Sequence, residues 1–128
     1  MKTFEIKIKS IEESDRDVAR AFRDAQAGRK VTPKKGVYFI SLEAVRNLLT
    51  EKRLQLLHTI KERRPKSISE LARFSGRNFK NVYVDIQTLK SYGLIQLKKS
   101  KEKSKQNRNN SSQNISVPYR GISIYTGI

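Results

Sequence analysis

The sequence contains no cysteine and a single histidine. Without cysteine there are no disulfides and no thiolate metal ligands. His58 has no second histidine and no cysteine to share a metal with, which makes it a packing or surface residue. Neither a nucleophile–base set nor a carboxylate pair stands out, so enzyme is the weakest class and no catalytic residue, metal or cofactor is expected. No apolar run approaches the length of a membrane span, and the first residues lack the apolar core of a secretory signal. A cytoplasmic protein with no membrane partner is expected. Acid is also scarce. Twelve Asp and Glu face 28 Lys and Arg, a net charge of +16 over 128 residues. An excess of that size points to a polyanionic partner.

What the sequence does contain is concentrated. Residues 61–108 carry 14 Lys or Arg against 4 Asp or Glu, more than half of the basic excess. Within them lies SISELARFSGRNFKNVYVDIQTLKSYG, residues 67–93. Ser67 with Glu70 three positions on is a capping-box opening for a short helix, and Ile68, Leu71 and Ala72 give that helix one apolar face. Ser75 and Gly76 break it, since glycine readily adopts a left-handed turn. Asn78 caps a second helix with an apolar stripe of Phe79, Val82, Ile86 and Leu89, and Gly93 ends it. Two short helices joined by a tight turn form a helix-turn-helix, whose second helix enters the DNA major groove. Off its stripe lie Lys80, Asn81, Tyr83, Val84 and Gln87, with Arg77 just before it. Amide and guanidinium groups suit base edges because they place two hydrogen-bonding groups in one plane. Lys66, Ser67 and Arg73 on the preceding helix are candidate flanking contacts.

Around this unit the periodicities predict an α+β fold with an N-terminal strand–helix extension. Phe4, Ile6 and Ile8 alternate with polar residues as a half-buried strand does. Ser10 and Glu13 open a helix to about Ala27, with Ile11, Val18, Phe22 and Ala25 expected inward and Gly28 ending it. GRKVTPKKG (28–36) is a basic loop without the spacing of a phosphate-binding loop. VYFI (37–40) reads as a buried strand. Ser41 caps a brief helix with Leu42, Val45, Leu48 and Leu49 inward. Thr50 caps a longer helix with Leu54, Leu57 and Ile60 on its core face, and Pro65 stops it. After Gly93, Ile95 and Leu97 alternate as a strand, and Ile115, Val117 and Tyr119 alternate again. The two runs predict an antiparallel hairpin, the wing of a winged helix. Residues 100–113 between them hold no apolar side chain and are expected to be mobile. Lys98, Lys99, Lys101, Lys103, Lys105 and Arg108 would make the wing a basic arm along the DNA backbone. Ile122 and Ile124 mark one last strand. The organisation expected is an extension over 1–49, a DNA-binding domain over 50–120 and a strand within 121–128.

The stretches LTEKRLQLLHTI (49–60), SISELARFSGRNFKNVYVDIQTLKSYGLI (67–95) and VPYRGISI (117–124) resemble the HVO_A0114-type DNA-binding proteins of archaea and bacteria. The resemblance covers most of the chain apart from the wing tip, and GRxxxNVxxDxxxLxxxGLI is its most specific part. It implies a winged helix-turn-helix related in fold to MarR-like regulators, and hence transcriptional regulation. Asn78 stands where such proteins usually have Asp, and Val84 where a basic residue is common. An apolar Val84 can instead touch a thymine methyl. Three readings follow. The first is a sequence-specific double-stranded DNA-binding repressor, nucleoid-associated when bound, that acts as a homodimer pairing through strands 3–9 or 121–125. The second is an antitoxin that binds a protein toxin and autoregulates its operon. The third is an architectural protein that binds nucleic acid without reading sequence.

Overall fold

A computed structural model of the protein describes residues 2–30, 37–99 and 113–127. Its elements run β1 (Lys2–Ile8), α1 (Ile11–Gln26), β2 (Val37–Phe39), α2 (Leu42–Leu48), α3 (Glu51–Arg63), α4 (Ile68–Ser75), α5 (Phe79–Ser91), β3 (Gln96–Lys99), β4 (Gln113–Ser116) and β5 (Tyr119–Thr126). This is an α+β chain. It divides into two compact units, one of Leu48–Arg120 with Met1–Lys2, the other of Thr3–Asn47 with Gly121–Ile128.

The larger unit is helical. Thr50 opens α3, its hydroxyl accepting from the Arg53 amide at 3.2 Å. Leu56, Leu57 and Ile60 are the buried residues of α3, while Leu54 is 37% exposed. Leu57 and Ile60 are buried as predicted, Leu56 joins them, and Leu54 lies outside the core. Pro65 disfavours helical geometry in the residue before it, and Arg64 closes α3 in the left-handed region at φ 46°. Leu71 and Ala72 of α4 and Val82, Ile86 and Leu89 of α5 complete the helical core, joined by Leu94, Ile95 and Ile115. Removing each Leu or Ile side chain of this core from water stabilises the fold by roughly 1.5–3 kcal/mol. The hairpin predicted after Gly93 is present, with β3 and β4 antiparallel, Leu97 opposite Ile115 and Lys99 opposite Gln113. However, β4 ends at Ser116, so Val117 lies beyond it and Tyr119 opens β5 instead. Gln113 therefore belongs to a strand. The rest of the segment expected to be mobile, 100–112, lies outside the described residues, as does 31–36 of the basic loop.

The smaller unit is built on a three-stranded sheet in the order β2-β1-β5. β1 and β2 are parallel, Ile6 facing Val37 and Ile8 facing Phe39, and α1 lies between them in sequence, as a parallel pair requires a crossover. Phe4 and Ile6 are buried as their alternation predicts, with Phe39 and Val45. β1 has a neighbour on each side within its own chain. It is therefore not the free strand through which copies were expected to pair. Two further expectations are corrected. Ile40, expected in the buried strand, and Leu42, expected on the inward face of the helix after Ser41, are 63% and 55% exposed. The helix α1 has no buried residue, and Ile11, Val18 and Phe22 are 62%, 69% and 63% exposed. The positions of α1 that are partly covered are Ser14, Asp17, Ala21 and Asp24. Lys9 pairs with Asp17, and Arg29 lies 3.2 Å from Asp24.

Candidate nucleic-acid interface

The α4–turn–α5 segment owes its shape to local hydrogen bonds. Ser67 Oγ accepts from the Glu70 amide at 3.1 Å, and Glu70 Oε1 reaches back to the Lys66 amide at 3.4 Å. At the far end Gly76 takes φ +63°. Its amide donates to the Arg73 carbonyl at 3.2 Å and the Arg77 amide to Ala72 at 3.1 Å. A Cβ on Gly76 would meet nothing within 4 Å. Glycine is favoured there by backbone conformation alone. Asn78 then accepts from the Lys80 amide through Oδ1 at 2.8 Å, which starts α5.

With Val82, Ile86 and Leu89 fully buried, the opposite side of α5 is held outward. Lys80, Asn81, Tyr83 and Val84 are exposed there, and Gln87 is half-buried below them. Phe79, expected in the inward stripe, is 50% exposed and stacks on Tyr83 with ring centroids 6.0 Å apart. The face therefore carries two aromatic rings, one amide, one ammonium group and one branched apolar side chain. An aromatic pair at i and i+4 is the sequence signal for that stacking, because those positions share one side of a helix.

Two candidates are otherwise engaged. Asn78 uses its side-chain oxygen as the helix cap. Arg77 does not project from the face: its Nη2 donates to Asp85 Oδ2 at 2.8 Å. Arg53 Nε donates to Asp85 Oδ1 at 3.1 Å, and Arg53 Nη1 to the Leu48 carbonyl at 3.0 Å. The three side chains are only 14–21% exposed. One carboxylate in mid-α5 thus ties together the start of α3, the turn and the helix expected to read DNA. Arg53 and Asp85 were not candidates in the sequence, since their pairing spans 32 positions.

The flanking candidates lie on α4. Ser67 is its cap, and Arg73 is 75% exposed, 3.8 Å from Glu70. The Arg63 guanidinium lies 3.9 Å from the Phe74 ring centre. Between α3 and the turn is a cleft of about 350 Å³ lined by Lys52, Gln55, His58, Thr59, Phe74 and Arg77, among others. Arg77 Nη1 is buried without a hydrogen-bond partner among the described residues. In the hairpin Lys98 is exposed and Lys99 ends β3. Lys101, Lys103, Lys105 and Arg108 lie outside the described residues. Among the described residues no cluster of His, Cys, Asp or Glu could hold a metal ion, and no helix is long and apolar enough to cross a membrane.

Fold and site together define an α+β protein whose helical unit presents one mixed polar and aromatic helix face beside a two-stranded hairpin. The chain belongs to the HVO_A0114 family, whose model matches residues 48–124. No curated protein matches it. The family name carries no biochemical activity, so function has to be argued from the face itself.

Proposed function

We propose that the chain is a sequence-specific double-stranded DNA-binding protein of the winged helix-turn-helix type, a transcriptional regulator that represses by occupying its site. The observation that carries the reading is the exposed side of α5, with Lys80, Asn81, Tyr83 and Val84 on one helix face that follows a tight glycine turn. In this reading α5 lies in the major groove. Asn81 and Gln87 pair with adenine edges, Lys80 reaches a guanine or a phosphate, and Val84 meets a thymine methyl. Phe79 and Tyr83 add apolar contact beside them. The β3–β4 hairpin is the wing, and Lys98 neutralises phosphate from it. Phosphate contacts supply affinity and salt dependence, while base contacts supply the choice of sequence.

The test is selection of duplex from a random pool. Binding of the selected site is then compared by fluorescence anisotropy with scrambled duplex, single-stranded DNA and RNA of equal length. The selected duplex is expected to bind at least a hundredfold tighter than the scrambled one, with affinity falling steeply as salt rises. Equal affinity for all four would overturn sequence readout and leave an architectural protein.

A further inference from the structure

We infer that the exposed apolar face of α1 is where two copies of this chain pair, helix against helix and antiparallel. The inference does not rest on DNA binding. It starts from a shortfall of burial. Among the described residues of the smaller unit, Phe4, Ile6, Phe39 and Val45 are the buried apolar side chains. That is a small core even for a domain of modest length. Meanwhile a 16-residue helix in the same unit buries nothing. Its covered positions, Ser14, Asp17, Ala21 and Asp24, are small or acidic. Ile11, Val18 and Phe22 form a stripe roughly 100° round the helix from them, at about 100° per residue. A stripe of that kind is stable only against another apolar surface.

The residues beside the stripe identify the occupant. Each follows a stripe member in sequence: Glu12 after Ile11, Ala19 after Val18, Arg23 after Phe22. Read along the helix, this flank runs acid, small, base. Read backwards it runs base, small, acid, so it complements itself when a second α1 is laid antiparallel. A two-fold axis near Val18 then sets Val18 against its own copy. It brings Ile11 to Ala25 of the second copy and Glu12 to Arg23 of the second copy, each contact occurring twice. Ala19 lets the two helices approach at the middle. No ion pair within the chain engages Glu12 or Arg23 among the described residues. A parallel two-fold pair would instead set this flank against the other side of the second helix, where Ser14, Asp17, Ala21 and Asp24 are partly covered within their own chain. The acidic first half of the helix, with Glu12, Glu13, Asp15 and Asp17, also argues against a phosphate-rich partner. The stripe alone is smaller than the ~800 Å² per partner of a standard interface. A micromolar dissociation constant is therefore expected.

Sedimentation equilibrium of the full chain, without DNA, tests this. The wild type is expected to show reversible dimerisation across the micromolar range. Val18→Glu with Phe22→Glu is expected to leave a monomer whose far-ultraviolet circular dichroism is unchanged, because neither side chain is in the core. Glu12→Arg and Arg23→Glu are each expected to weaken the dimer about tenfold by setting like charges together. Combining them should restore it, which local helix effects cannot do for residues 11 positions apart. A wild type that stays monomeric would overturn the inference. So would a Val18→Glu, Phe22→Glu variant that still dimerises, which would move pairing to another surface such as the β5 edge. A double charge swap weaker than either single change would overturn the antiparallel register. Failure of any of these leaves the DNA-binding test untouched, since that reads duplex preference at concentrations where α1 need not pair.

Discussion

Asp85 accepts from two guanidinium groups at once, and removing it leaves both largely buried cations uncompensated. Hydrogen bonds to charged groups contribute roughly 1.5–3 kcal/mol each. Partial exposure and relaxation of Arg53 bring the expected loss for Asp85→Ala to about 2–3 kcal/mol, read by urea denaturation. Arg77→Ala is expected to weaken binding to selected and scrambled duplex by the same factor. The position supports α5 without projecting from its reading face, and anisotropy on the two duplexes separates these roles. A loss confined to the selected duplex would return Arg77 to the base-reading set. Gly76→Ala should cost about 1 kcal/mol, the penalty for a side chain in the left-handed region, since the space around Gly76 is open.

At the scale of elements, the exposed face of α5 makes the sharper prediction. Asn81→Ala is expected to cost about 1–3 kcal/mol on the selected site and to relax preference at one base position. Lys98→Ala should weaken all duplexes alike and lower the salt slope by about one. Titrations at several salt concentrations distinguish the two. Much of this was legible in the sequence, because it is local chemistry. Ser10, Thr50, Ser67 and Asn78 were readable as caps and each accepts the expected amide. The glycines at 76 and 93 both take positive φ. What failed was the direction in which apolar side chains face. Phe79 sits at the first position of α5, where the turn carries it out of the groove that Val82 fills. Ile11, Val18 and Phe22 have helical spacing, yet the partly covered side of α1 carries Ser14, Asp17, Ala21 and Asp24 instead. Periodicity reports that a helix has an apolar side. It does not report whether the same chain provides the surface to cover it.

For the whole molecule, the two proposals taken together, pairing through α1 and DNA reading by α5, give a two-fold protein with two copies of α5. Such a protein reads half-sites about one helical turn, or a multiple of it, apart. The selected DNA is therefore expected to be an inverted repeat. The Val18→Glu, Phe22→Glu variant should bind a single half-site as well as the wild type does but lose the gain from the second. Footprinting of a full and a halved site checks this.

The place of β5 has a consequence for how the protein is made. Its partner β1 occupies Lys2–Ile8, while β5 itself runs from Tyr119 to Thr126. During synthesis β1 emerges early and waits until nearly all of the sequence between them has left the ribosome. The helices α3, α4 and α5, which pack as neighbours in sequence, can settle in that interval, since local contacts form faster than distant ones. Until β5 arrives, an apolar strand edge and the uncovered α1 stripe stand open together, the kind of surface on which nascent chains aggregate. Rapid overexpression is thus expected to drive material into inclusion bodies through the smaller unit. Slowing translation should recover soluble protein, measured as the soluble fraction at equal total yield.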